Sequence, residues 1–95
     1  QQMEGGVIYG LTAALFGEVS FENGRAQLSN FDGYPLLTLA QSPAVQTVIV
    51  DSGKALGGIG EVSTPPIAPA VANAIFVLTG QRTRSLPLAA QHRFA

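Results

Sequence analysis

The sequence predicts an α+β fold. Apolar residues recur at helical spacing over residues 2–16 and again over 66–79. Between them an Asn23-Gly24 turn joins alternating stretches, and a β-branched run fills residues 45–50. The implied order is helix, hairpin, strand, helix, with no internal repeat and no low-complexity block.

The first helix rests on Met3, Val7, Leu11, Ala14 and Leu15. Gly17 is placed to end it. No Ser, Thr, Asp or Asn stands before it as a cap, so its start reads as cut. Gly5, Gly6 and Gly10 each weaken such a helix by about 1 kcal/mol relative to alanine. They are tolerable where another element packs tightly against their face.

Residues 18–30 read as a hairpin, because Asn-Gly suits a tight two-residue turn. Val19 and Phe21 alternate before it, and Ala26 and Leu28 after it. Glu22 and Arg25 flank the turn, and no function is assigned to them. Residues 31–43 are irregular, with a turn at Asp32-Gly33 and interruptions at Pro35 and Pro43. The run at 45–50 is partly apolar on both faces, as expected of a covered strand, and Asp51-Ser52-Gly53 closes it.

A glycine loop follows: Gly57-Gly58-Ile59-Gly60-Glu61-Val62-Ser63-Thr64-Pro65-Pro66. It presents one carboxylate, Glu61, just before a helix start. Glycines let a backbone approach a ligand closely, and the prolines suit a helix's first turn. The arrangement serves a catalytic base, and these residues alone favour an ordinary loop-to-helix junction. The second helix has Ile67, Val71, Ala74, Ile75 and Leu78 as its apolar stripe. Ser63 or Thr64 is a cap candidate, Pro69 fits only in the first turn, and Gly80 ends the helix. Residues 81–95 carry Arg82, Arg84 and Arg93 and read as an extended tail, with His92 exposed in it.

Composition narrows the function. The 95 residues suffice for one small domain. They are 46% hydrophobic and 12% charged, which leaves apolar area for a partner and predicts self-association of the chain alone. A net charge of −1 makes no electrostatic case for nucleic acid. The absence of cysteine excludes disulfides, zinc–thiolate sites and iron–sulfur ligation by this chain. The longest apolar run, residues 67–78, is shorter than the roughly 20 residues of a membrane span. The first residue is Gln1, which predicts a processed chain or part of a longer one. The compartment, cytoplasm or periplasm, stays open.

Several familiar motifs fail. Ser52-Gly53-Lys54 lacks the upstream glycine of a phosphate loop, where Val48 stands, and the following hydroxyl, where Ala55 stands. Gly58-Ile59-Gly60 would need a third glycine at Ser63 to serve a dinucleotide, so a nucleotide-binding module is the weakest alternative. A lone histidine in a tail supports no Ser/His/Asp set.

Two separated segments resemble one family. Gln2-Met3-Glu4-Gly5-Gly6-Val7-Ile8-Tyr9-Gly10-Leu11 resembles a helix start in the large subunits of molybdenum hydroxylases, the xanthine dehydrogenase and aldehyde oxidase family. Gly58-Ile59-Gly60-Glu61, followed by Pro65-Pro66 and an Ala/Ile/Phe-rich helix, resembles their final catalytic segment. The insertion of Val62-Ser63-Thr64 before the prolines departs from xanthine dehydrogenases and favours the isoquinoline 1-oxidoreductase branch, in its beta chain. The likeness runs from Gln1 to Leu88, which divides the chain into a C-terminal piece of a molybdopterin-binding domain, 1–88, and a tail, 89–95.

The resemblance implies a molybdenum–pterin cofactor, with its cytosine-dinucleotide form (molybdopterin cytosine dinucleotide) as one option, and 2Fe-2S clusters on a partner domain or subunit. It implies that the cofactor, not a protein side chain, holds the metal. The residue matching Glu61 is then the catalytic base, and Gln2 and the backbone of Gly60 contact the cofactor. The implied reaction oxidises an N-heterocycle or aldehyde with water as oxygen source. The implied partners are the remainder of the large subunit and an iron–sulfur subunit, and the chain alone is expected to be inactive. The competing reading is a non-catalytic scaffold that keeps the packing without the chemistry.

Overall fold

The structure, a computed structural model, describes residues 1–93. Helix α1 spans Gln2–Phe16 and helix α2 spans Ile67–Thr79. A two-stranded antiparallel ladder, β1 at Phe21–Glu22 and β2 at Arg25–Ala26, lies between them. Single 3-10 turns sit at Phe31–Gly33, Leu39–Gln41 and Leu88–Ala90. These elements are compatible with an α+β class.

Both helices occupy their expected stretches, but their ends differ from expectation. Gly17 closes α1 with φ −67° and ψ 90°, not in a left-handed turn. Sterics select glycine there, because a Cβ would stand 2.5 Å from the Ala13 carbonyl oxygen. Gly80 does end α2 left-handed, at φ 73°, and its N–H donates to the Phe76 carbonyl. Pro69 falls in the first turn of α2, where no helical N–H bond is forfeited.

The hairpin is smaller than the 18–30 expected. Phe21 pairs with Ala26 and Glu22 with Arg25, and one more bond runs from the Gln27 N–H to the Ser20 carbonyl. Asn23 and Gly24 both have positive φ, 49° and 78°, as this turn requires.

The core is small. Ala14 and Leu15 of α1, Ile75 of α2 and Leu88 are its buried members. Leu11, Phe16, Leu37, Ala68 and Val71 pack around them. Leu78 and Ala74, expected on the buried stripe of α2, are exposed. The covered face of α2 is narrower than that stripe, with Ile75 buried and Val71 half-buried while Ala74 beside them is exposed. The expected tail is also corrected as far as it is described. Leu88, 1% exposed, plugs the space beside α1, since an apolar side chain that finds a cleft stays out of water. His92 is half-buried, with its Nε2 2.7 Å from the Thr83 hydroxyl. Residues 94–95 of the tail lie outside the described residues.

The largest correction concerns residues 45–50. They form no strand, and Val48, Ile49 and Val50 are 76%, 91% and 81% exposed. A strand exists only by pairing, and the one ladder among the described residues is already closed on itself. The chain extends over 54 × 34 × 25 Å. Its radius of gyration is 16.0 Å, against about 12 Å for a compact domain of this length.

Candidate active site

The two motif segments meet where the entry to α2 crosses α1. Two glycines make the crossing possible. A Cβ at Gly10 would stand 2.8 Å from the Thr64 carbonyl oxygen and 3.1 Å from Ile67 Cγ1. A Cβ at Gly6 would collide with the Ser63 hydroxyl. Gly6 and Gly10, four apart, share one helix face, and the chain from Ser63 to Ile67 lies on it. Gly5 points elsewhere, and a Cβ there would meet nothing within 4 Å.

Neither cap candidate caps α2. Pro66 occupies the cap position, and no side chain bonds the helix start. The Thr64 hydroxyl instead donates to the Gly6 carbonyl, 3.2 Å away and 58 residues earlier. The Ser63 hydroxyl is buried against Gly6 without a hydrogen-bond partner among the described residues. Close packing on α1 directs both hydroxyls away from α2.

This crossing shapes a hollow of about 190 Å³ lined by Gln2, Gly5, Gly6, Tyr9, Gly60, Glu61 and Thr64. All three sequence-predicted site residues, Gln2, Gly60 and Glu61, therefore line one surface. The Glu61 side chain is exposed and has no hydrogen bond or ion pair among the described residues. Its backbone carbonyl accepts the Thr64 N–H at 3.1 Å, closing a tight turn.

Larger hollows lie elsewhere. One of about 570 Å³ runs between the start of α2 and the stretch from Arg82 to Leu86. Another, about 630 Å³, lies between the start of α1 and residues 47–50. Neither contains a carboxylate, so size is a poorer guide here than chemistry. His92 lines a separate hollow with Leu15 and Phe16, and the structure does not bring it to Glu61. Among the described residues no three His, Cys, Asp or Glu side chains gather, so a metal at this site would have to arrive with its own ligands.

The glycine loop is open on its side-chain side. Gly57, Gly58 and Gly60 have no left-handed φ, and a Cβ at any of them would meet nothing within 4 Å. Nothing among the described residues demands glycine there. Tyr9 and Thr64 are lining residues that sequence reasoning missed. The four-residue spacing of Gly6 and Gly10 was the available signal for the crossing.

Among curated proteins the chain is 42% identical to the beta chain of isoquinoline 1-oxidoreductase from Brevundimonas diminuta, over 92% of this chain and 11% of that one. It is 37% identical to a nicotinate dehydrogenase chain of Pseudomonas putida, over 95% of this chain and 8% of that one. Over nearly its whole length this chain is similar to a short stretch of these two oxidoreductases. A membrane-bound aldehyde dehydrogenase of Gluconacetobacter polyoxogenes is 33% identical over 92% of this chain and 11% of its own length, and its name carries pyrroloquinoline quinone. The chain thus spans about a tenth of the length of these relatives, all named as oxidoreductases or dehydrogenases. No protein-family model and no solved structure matches it. No helix among the described residues is long and apolar enough to cross a membrane.

Proposed function

We propose that this chain is the C-terminal catalytic segment of a molybdenum hydroxylase large subunit, lying within a larger α+β molybdopterin-binding domain, with Glu61 as general base. The observation that carries the reading is the shared hollow, which puts the Glu61 carboxylate on one surface with Gln2 and Gly60.

The residues fit a cofactor that brings its own metal ligands. The Gln2 side-chain amide offers both donors and an acceptor. Gly60 exposes its backbone with open space where a side chain would stand. Gln2 and the Gly60 backbone would hold a molybdenum–pterin group at its polar edge. When bound, that group supplies the oxidising centre that takes electrons from the substrate. The chain's own part is proton transfer. Glu61, as carboxylate, accepts the proton of a water-derived oxygen nucleophile as it attacks an electron-poor carbon. The named substrates of two relatives, isoquinoline and nicotinate, favour an aromatic N-heterocycle, with an aldehyde as the other option. The remainder of the large subunit closes the hollow, and 2Fe-2S clusters on a partner subunit carry electrons away.

The test is Glu61→Gln in the assembled enzyme, which keeps size but removes the basic lone pair. Turnover with a saturating N-heterocycle falls by about 10²–10⁴-fold, while molybdenum and iron contents stay unchanged. Glu4, outside the hollow, serves as control through Glu4→Gln. Retention of more than about a tenth of the activity, well inside the usual loss for acid–base groups, refutes the base assignment. Absence of molybdenum and iron from the native complex instead favours the scaffold reading.

A further inference from the structure

We propose that Thr64 is the positioning residue of this site, tying Glu61 to the helix that carries Gln2. The inference rests on Glu61 being the base. Thr64 is bonded in three directions. Its hydroxyl donates to the Gly6 carbonyl of α1 at 3.2 Å. Its N–H donates to the Glu61 carbonyl at 3.1 Å, and its carbonyl accepts the Ile67 N–H at 3.3 Å. The first bond reaches α1, the second fixes the turn that begins at Glu61, and the third starts α2.

No other residue can take over this task. Among the described residues the Thr64–Gly6 bond is the one side-chain hydrogen bond between α1 and the chain from Glu61 through α2. On its other side Glu61 has no anchor: residues 46–60 are all exposed and make no backbone bond to the rest of the described chain. Glu61 is therefore held from its C-terminal side alone. The contact also has a defined height along α1. Gly6 lies one turn from Gln2, on the same face, so the bond sets the separation of carboxylate and amide across the hollow. The Gly6 and Gly10 notch brings Thr64 near α1, but packing alone permits sliding; the directional hydrogen bond fixes the register.

Removing the hydroxyl need not unfold the protein. The Gly6 carbonyl keeps its helical partner, so no acceptor is orphaned. The test is Thr64→Val, nearly isosteric, beside Thr64→Ser, which restores the hydroxyl, in the assembled enzyme. Two quantities are read: steady-state kinetics, and amide hydrogen exchange across residues 61–67 in the cofactor-free large subunit. Thr64→Val is expected to lower kcat by about 10–100-fold, the scale of a small misplacement of a reacting group. KM stays within about twofold, because ground-state binding is untouched. Exchange at the Thr64 and Ile67 amides rises at least about tenfold as the turn loosens. Thr64→Ser returns both readings to near wild type. If Thr64→Val does not accumulate folded, Thr64→Ala removes the same hydroxyl with less bulk and is compared with Thr64→Ser in its place. Unchanged kcat without the hydroxyl overturns the proposal, whatever the exchange rate does. So does a serine variant as impaired as the valine one. Glu61→Gln separates the two ideas. If it stays active, the base reading fails; if it is dead while Thr64→Val is active, only the positioning role fails.

Discussion

Two sets of glycines in this chain look alike in sequence and differ in what requires them. Gly6 and Gly10 stand under Ser63, Thr64 and Ile67, and any side chain there would collide with atoms of the same chain. Gly57, Gly58 and Gly60 face open space with ordinary backbone angles. The first set belongs to a closed end, where α1, α2 and Leu88 bury one another. The second belongs to an open arm, residues 46–62, whose every residue is exposed. The closed end answers its own steric demands. The arm keeps its glycines, its carboxylate and its β-branched residues exposed.

The contrast can be broken at three points. Leu88→Ala has the largest expected effect. Its side chain is 1% exposed at the centre of the closed end, and its truncation should cost about 2–5 kcal/mol in denaturant unfolding. A value near zero would mean that Leu88 is only loosely docked. Gly10→Val comes next, at about 1–3 kcal/mol by overpacking, because the Thr64 carbonyl is backbone and cannot swing aside. Gly60→Ala is the smallest, within about 0.5 kcal/mol of wild type in unfolding, as for other unencumbered surface sites. In the assembled enzyme the same change should lower molybdenum content, since the backbone of Gly60 is proposed to lie against the cofactor. Stability loss without cofactor loss would reverse the contrast and make the loop a structural junction.

Some of this is readable from the residues. The period of Met3, Val7, Leu11, Ala14 and Leu15 marks α1, and its range coincides with that expected. Asn23-Gly24 marks the hairpin because few other residue pairs tolerate two positive φ values. Gly80 is legible for the same reason. The site is legible as two motifs but not as one place. Glu61 and Gln2 lie far apart in the sequence, and local spacing has no information about which distant segments touch. Thr64 reads as a cap, since a hydroxyl before a helix usually bonds that helix. In the folded chain that hydroxyl instead donates to a carbonyl on the other helix.

The sequence by itself determined what depends on short-range sterics: two helices, one tight turn, a left-handed stop at Gly80, and a carboxylate between a glycine loop and a proline-marked helix start. Only the tertiary structure decided which side chains are buried and where the site lies. It exposed Leu78, buried Leu88, left residues 45–50 without a strand partner, and turned Gly6 and Gly10 into the notch that receives Thr64. The physical reason is that helix periodicity and turn geometry are properties of neighbouring dihedral angles. Burial and strand pairing are instead properties of whatever surface arrives from far along the chain, and nothing that reaches residues 46–62 here buries them.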